Sequence, residues 1–216
     1  MNAKLIATTQ PCSDLVAQGI ETGDQLIAYA ARVSNPSNQL NTETAPRLLA
    51  YCIKHGHWSV FETASMTVEL QTSRAIAAQL LRHRSFTFQE FSQRYAASIG
   101  YEPVELRLQD MKNRQASGGL CNDLGLYTEV SEVINHAFDV YSVLLAKGVS
   151  KETARMVLPL TTQTMLYMTG NVRSWIHYFD QRCAEHTQKE HRLLANQIKT
   201  IFNSTFPVVA EALSKR

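Results

Sequence analysis

Apolar positions along this chain recur mostly at helical spacing. After Asp24, the residues Leu26, Ile27, Ala30 and Ala31 fall on one side of a helix. Ser34-Asn35-Pro36 ends it, because the residue before a proline avoids helical geometry. A second helix begins near Thr44 and carries Leu48, Leu49, Cys52 and Ile53. Gly56 suits its C-terminal cap, and Lys54 and His55 suit the negative end of its dipole. From Ser65 to Leu70 the period changes to two: Met66, Val68 and Leu70 face one way, Ser65, Thr67 and Glu69 the other, as in a half-buried strand. Thr72 or Ser73 then caps a helix running through about Arg84.

Residues 107–125 are polar, hold Ser117-Gly118-Gly119 and read as partly loop. A long helix follows to Lys147, with Val130, Ile134, Phe138, Tyr141 and Leu145 at helical spacing and Gly148 past its end. Ser150 opens a short helix that Pro159 stops, and Thr162 to Thr169 reads as a second strand. Asn171 caps a helix with Trp175, Phe179 and Arg182 on one face. The closing helices bear Leu194, Ile198 and Ile201, then Val208, Val209 and Leu213 after Pro207. No linker or repeat divides the chain. The expected class is α+β, a helix-rich single domain over 1–216 with a small antiparallel sheet.

Composition narrows the function classes. Of the 216 residues 44% are apolar and 19% charged, enough for a sizeable core and too apolar for a disordered tail. With 21 Lys and Arg against 19 Asp and Glu, the net charge of +2 argues against a broad nucleic-acid-binding surface. No apolar run approaches the ~18 residues of a membrane span, and the N-terminal stretch is too polar for a signal peptide. Cys12, Cys52, Cys121 and Cys183 are far apart and form no CxxC pair, which reads as a reduced, cytoplasmic protein with free thiols.

The densest chemistry is Arg82-His83-Arg84-Ser85-Phe86-Thr87-Phe88-Gln89-Glu90-Phe91-Ser92-Gln93-Arg94-Tyr95. Gln79, Arg82 and His83 stand at i, i+3 and i+4, so one helix face would present an amide, a guanidinium and an imidazole. Glu90, Ser92 and Arg94 are two apart, and in an extended segment they would point the same way. A basic helix end explains Arg82 to Arg84 through the dipole. It leaves Glu90, Ser92 and Arg94, set among aromatics, without a reason.

Arg-His-Arg, seven residues, then Ser is the signature of the flavin-dependent thymidylate synthases, and Arg82 to Ser92 resembles it in full. Flanking segments resemble the same family in the same order: Ala30-Ala31-Arg32-Val33-Ser34, His55-Gly56-His57 with Phe61-Glu62, Ala154 through Leu160, and Asn171-Val172-Arg173-Ser174 leading to Arg182 and His186. The likeness runs from about residue 26 to the end. One position departs, His177 standing where Asn is common.

The resemblance implies a reaction: dUMP receives the methylene of methylenetetrahydrofolate at C5, and FAD, re-reduced by NADPH, completes the methyl group. It also implies a homotetramer with sites shared between subunits. For dUMP it implies Gln79, Leu80, Leu81, Arg82, Glu90, Phe91, Ser92, Gln93, Arg94, Arg155 and Arg182. For FAD it implies Ser59, Arg82, His83, Arg84, Glu90, Asn171, Arg173 and His177, with His57, Glu62 and His186 nearby. The residue types suit such ligands, since Arg binds phosphates in charge-assisted pairs; Arg32 is a further candidate. Arg182 is the expected catalytic residue. A fixed positive charge beside N3 of uracil favours the ionised, electron-rich ring, while Arg itself cannot act as a base.

Two other readings stand beside this one. His57, His186 and Glu190 would serve a metal-dependent nucleotide hydrolase, His186 and Glu190 being i and i+4 on a helix, although no HExxH or Cys pair accompanies them and no metal is expected. Arg82, Arg84 and Arg94 with Phe86, Phe88 and Phe91 would serve an RNA-stacking module, against which the near-neutral charge counts. His136 and His191 read as ordinary surface histidines. Cys183 reads as a packed thiol, since helix neighbours diverge by about 100° and it cannot readily share a target with Arg182. Gly118-Gly119 lacks the surroundings of a phosphate loop.

Overall fold

The computed structural model describes residues 1–98 and 100–216. The chain starts with β1 (Asn2–Thr8), α1 (Ser13–Val16), α2 (Gly23–Ala31) and α3 (Ala45–Lys54). A 3-10 turn over Trp58–Glu62 leads to β2 (Ser65–Ser73), α4 (Arg74–Leu80) and β3 (Thr87–Glu90). The hairpin β4 (Arg107–Gln109) and β5 (Ser117–Leu120) precedes α5 (Leu124–Ala146), α6 (Lys151–Ala154) and a 3-10 turn over Arg155–Val157. Then come β6 (Gln163–Asn171), α7 (Val172–Arg182), α8 (Lys189–Thr205) and α9 (Pro207–Ser214).

The alternation of β2 builds the centre of the molecule. Met66, Val68 and Leu70 are fully buried, as are Leu166 and Met168 on β6, its antiparallel neighbour. The sheet order is β1-β2-β6-β3, every pair antiparallel. Helices cover its apolar face: Trp175, Tyr178 and Phe179 of α7 and Leu194, Ile198 and Phe202 of α8 join one core with Ile27, Leu49 and Phe61. Burying such side chains contributes roughly 1.5–3 kcal/mol each. At Gly170 the ring of Phe86 lies so close that an added Cβ would sit 2.4 Å from it, so β6 can only be glycine there. Gly56 ends α3 at φ +69°, a conformation that costs other residues strain.

Several expected elements hold. Asn171 caps α7 by accepting from Ser174 N, and the faces of β2, α3, α5, α7 and α8 fall where periodicity put them, whereas α2 starts at Gly23 under a Thr22 cap and buries Ile27 and Ala28 rather than Leu26, Ala30 and Ala31. Several expectations are corrected. The helix after Ser73 stops at Leu80, not near Arg84. The chain turns there twice, His83 N donating to Leu80 O and Phe86 N to His83 O, because Phe86 must reach Trp175 before β3 begins. Gln79, Arg82 and His83 therefore do not share a helix face. Residues 107–125 are partly loop, as expected, and the rest of the segment forms the β4–β5 hairpin. Ser92 and Arg94 do not continue the strand beyond Glu90: Tyr95 N and Ala96 N both donate to Ser92 O, so the backbone coils. β1 was not foreseen, because it is an edge strand whose Leu5 and Ile6 are exposed, and backbone pairing rather than burial holds it.

Candidate functional site

Three groups of predicted residues form, at separate places on the chain. The first lies where α4, the turn after it, α7 and α8 meet. Arg182, in the last turn of α7, donates from Nε to His83 Nε2 at 2.9 Å. Behind His83, Tyr178 Oη meets His191 Nε2 at 3.1 Å, and His191 Nδ1 meets Gln79 Oε1 at 3.1 Å. The rings of His83 and Tyr178 pack edge-on at 5.0 Å. Leu80 points into the core and can offer a ligand only its backbone, whereas Leu81 and Arg82 are exposed.

The two histidines of this group are neutral. Burial, then the Arg182 charge, lowers His83 to about 4; burial, then Arg182, lowers His191 to about 4. A neutral His83 has the lone pair that Arg182 needs. The linkage has a definite sign: between about pH 4 and 6.5 the unfolded chain binds protons that the folded chain refuses, so stability falls as pH falls through that window. For His191, fully buried, the loss at pH 5 relative to pH 7 is about 2 kcal/mol. A His191→Gln variant should therefore lose less of its thermal midpoint than the wild type between pH 7 and pH 5. Parallel losses in the two proteins would contradict it.

The second group lines a groove of about 590 Å³ between the Trp58–Glu62 turn and the start of α7. Its walls include Glu62, Ser85, Asn171, Arg173 and His177. Arg173 is ion-paired with Glu62, and the exposed His177 bonds Gln181. Arg84 and Ser59 are exposed outside this lining; His57 meets Tyr51 edge-on and His55 at a tilt, and His186 lines a different, polar cleft beside the β4–β5 hairpin.

The third group sits beyond the other end of β3. Glu90 accepts from Thr164 Oγ1 at 2.9 Å and pairs with Arg74 at 3.4 Å. The exposed Arg94 pairs with Glu152 at 3.0 Å, and Arg155 Nε reaches the carbonyl of the same Glu152 at 3.4 Å. Phe91 N donates to Met165 O, and Gln93 is buried with its amide on Ser98. Ser92 Oγ accepts only the N–H of Arg94, at 3.4 Å, among the described residues.

Some candidates serve the fold instead. Arg32 is buried and holds Asn41 O and Thr44 Oγ1. Glu190 pairs with Arg107 at 2.6 Å, and among the described residues no three His, Cys, Asp and Glu side chains are grouped to hold a metal, so the hydrolase reading has no centre to build on. Phe86 is only 7% exposed against Trp175, which removes it from RNA stacking. Burial raises the Cys183 thiol rather than Arg182 lowering it, in keeping with a packed residue. His191 is the main correction, a fully buried residue rather than a surface one. Its signal was present in the sequence: His191, Leu194 and Ile198 stand at i, i+3 and i+7, which puts the imidazole on the buried face of α8.

These features belong to a known class. The chain is a member of the thymidylate synthase complementing protein family, whose profile matches residues 15–208. Among individual relatives, a probable flavin-dependent thymidylate synthase of Paramecium bursaria Chlorella virus 1 is 52% identical over 99% of both chains. A flavin-dependent thymidylate synthase of a Synechocystis strain is 47% identical, again over 99% of each. The fold matches that of a UMP/dUMP methylase, PolB, from Streptomyces cacaoi bound with 5-Br dUMP: TM-score 0.82, 28% identity, 99% of this chain and 94% of that one covered.

Proposed function

We propose that this chain is a flavin-dependent thymidylate synthase that makes dTMP from dUMP, with methylenetetrahydrofolate as one-carbon donor. The observation that carries the reading is near-full-length identity of 52% and 47% to proteins of that name, together with the Arg82-His83-Arg84 to Ser92 motif. The hydride that completes the methyl group is supplied by FAD, which NADPH re-reduces. The groove around Asn171, Arg173 and His177 fits part of such a cofactor, offering an amide, a guanidinium, an imidazole and the Ser85 hydroxyl for its polar atoms.

Arg94 and Arg155, gathered by Glu152, suit the dUMP phosphate. Gln79, Arg82 and Arg182 suit the pyrimidine side. Ser92 binds and orients rather than attacks, because no base accepts its proton among the described residues. The second and third groups lie toward opposite ends of β3 within one chain, and Met111, Leu124, Val133, Met156 and Leu160 are each more than two-thirds exposed, both of which favour a homotetramer with shared sites. Among the described residues no helix is long and apolar enough to cross a membrane, and the four cysteines are unpaired, which suits a cytoplasmic enzyme of soluble nucleotides.

The test is direct. The purified protein is expected to be yellow, to release FAD on denaturation, and to convert dUMP to dTMP when given methylenetetrahydrofolate and NADPH. A colourless protein that takes up no FAD and carries stoichiometric zinc would overturn the reading.

A further inference from the structure

Tyr178, His191, Gln79, Gln188 and Glu190 form one continuous chain of side-chain hydrogen bonds, and its direction can be worked out from both ends. At the far end, Glu190 is ionised: burial opposes its charge, but its own backbone N–H, Gln188 and Arg107 outweigh that and hold its carboxyl below the ordinary value. A carboxylate only accepts, so the group it meets at 2.9 Å is the NH2 of Gln188. Gln188 Oε1 then faces Gln79 at 2.6 Å and must receive an N–H from it. That leaves Gln79 Oε1 against His191, whose Nδ1 must carry the proton.

The near end gives the same answer independently. Tyr178 is fully buried, and among the described residues its hydroxyl has one partner, His191 Nε2. A buried O–H without an acceptor costs about 1–3 kcal/mol, so Tyr178 donates and Nε2 holds the lone pair. A neutral imidazole accepting at Nε2 carries its proton at Nδ1. The two lines of argument meet only at His191, reach it through different ring nitrogens and agree on one arrangement.

From this we propose that Tyr178 and His191 are positioning residues that lock the Gln79 amide with its NH2 outward, so that the substrate group met by Gln79 is an oxygen acceptor. Resting on the reading of dUMP as substrate, the acceptor is a uracil carbonyl or a phosphate oxygen. In the free protein Gln188 Oε1 takes that hydrogen bond, and substrate replaces it. The reverse amide orientation would present a carbonyl, which meets neither kind of oxygen favourably.

The experiment has two arms. Histidine 15N spectra of the purified protein should show His191 as the neutral Nδ1–H tautomer at pH 7, and with dUMP bound, when Gln188 no longer holds Gln79, Tyr178→Phe should shift it toward Nε2–H. Binding of dUMP and of deoxyuridine is then measured for wild type, Tyr178→Phe and Gln79→Glu, with circular dichroism to confirm folding. Gln79→Glu places an oxygen outward and should weaken dUMP by about ten- to a hundredfold, Tyr178→Phe by about three- to tenfold. Equal losses for deoxyuridine assign the acceptor to uracil; losses for dUMP alone assign it to the phosphate. An Nε2–H tautomer or an imidazolium in the wild type overturns the relay, as does unchanged dUMP affinity in both variants. A wild type with the expected tautomer that binds neither compound overturns the substrate reading instead.

Discussion

Replacing Arg182 by Ala is expected to lower kcat for dTMP formation by about a hundred- to a thousandfold, the usual loss when a preorganised charge facing the reacting centre is removed. The structure gives the reason for so large an effect. Arg182 Nε is spent on His83, which fixes the plane of the guanidinium and leaves its Nη groups for the pyrimidine contact proposed above. His83 can play this part only as the neutral base that burial makes it. A charge held in this way needs no reorganisation as C5 of uracil becomes nucleophilic. FAD content and folding should be unchanged, since Arg182 lies outside the groove assigned to the flavin. Arg182→Lys keeps the charge but has no planar fork to share between His83 and a ligand, so it should recover only a small part of the activity. An Arg182→Ala enzyme with near-normal kcat would remove Arg182 from catalysis.

Mixing two inactive variants, Arg94→Ala and Arg173→Ala, should restore activity from almost nothing to as much as about a quarter of wild type, if each site takes these two residues from different subunits. Within one chain the two residues lie toward opposite ends of β3. Arg173 follows Asn171 at the end of β6 that pairs with Thr87, and Arg94 follows Glu90 at the other end. The strand alone spans roughly 10 Å between Thr87 and Glu90. Reconstitution is followed by dTMP formation after subunit exchange of tagged variants. Proven exchange without recovery would mean that each site is built within a single chain.

The alternation Met66, Val68, Leu70 and the helical spacing of Trp175 and Phe179 were legible because burial on one face leaves a period in the sequence itself. The caps Ser73 and Asn171 were legible because a cap is a local bond, three residues long. The motif from Arg82 to Ser92 was legible as a pattern of residue types, and it pointed to the family without giving the shape of the site. What sequence could not supply are the features decided by partners distant along the chain. α4 stops at Leu80 because Phe86 has to reach Trp175 and Gly170, 84 or more residues away, and no local signal marks that stop. β1 has no buried face to announce it and exists through its pairing with β2. His83 becomes a neutral acceptor only because Arg182, 99 positions on, is brought against it in a half-buried place. His191 acquires its role from Gln79, 112 positions earlier, and from Tyr178 on the neighbouring helix. The residues that could do the chemistry were thus determined by sequence alone. Which of them carry a proton, which face each other and which are committed to the fold were decided by packing, because charge and hydrogen-bond direction depend on burial and on neighbours that only the tertiary structure assembles.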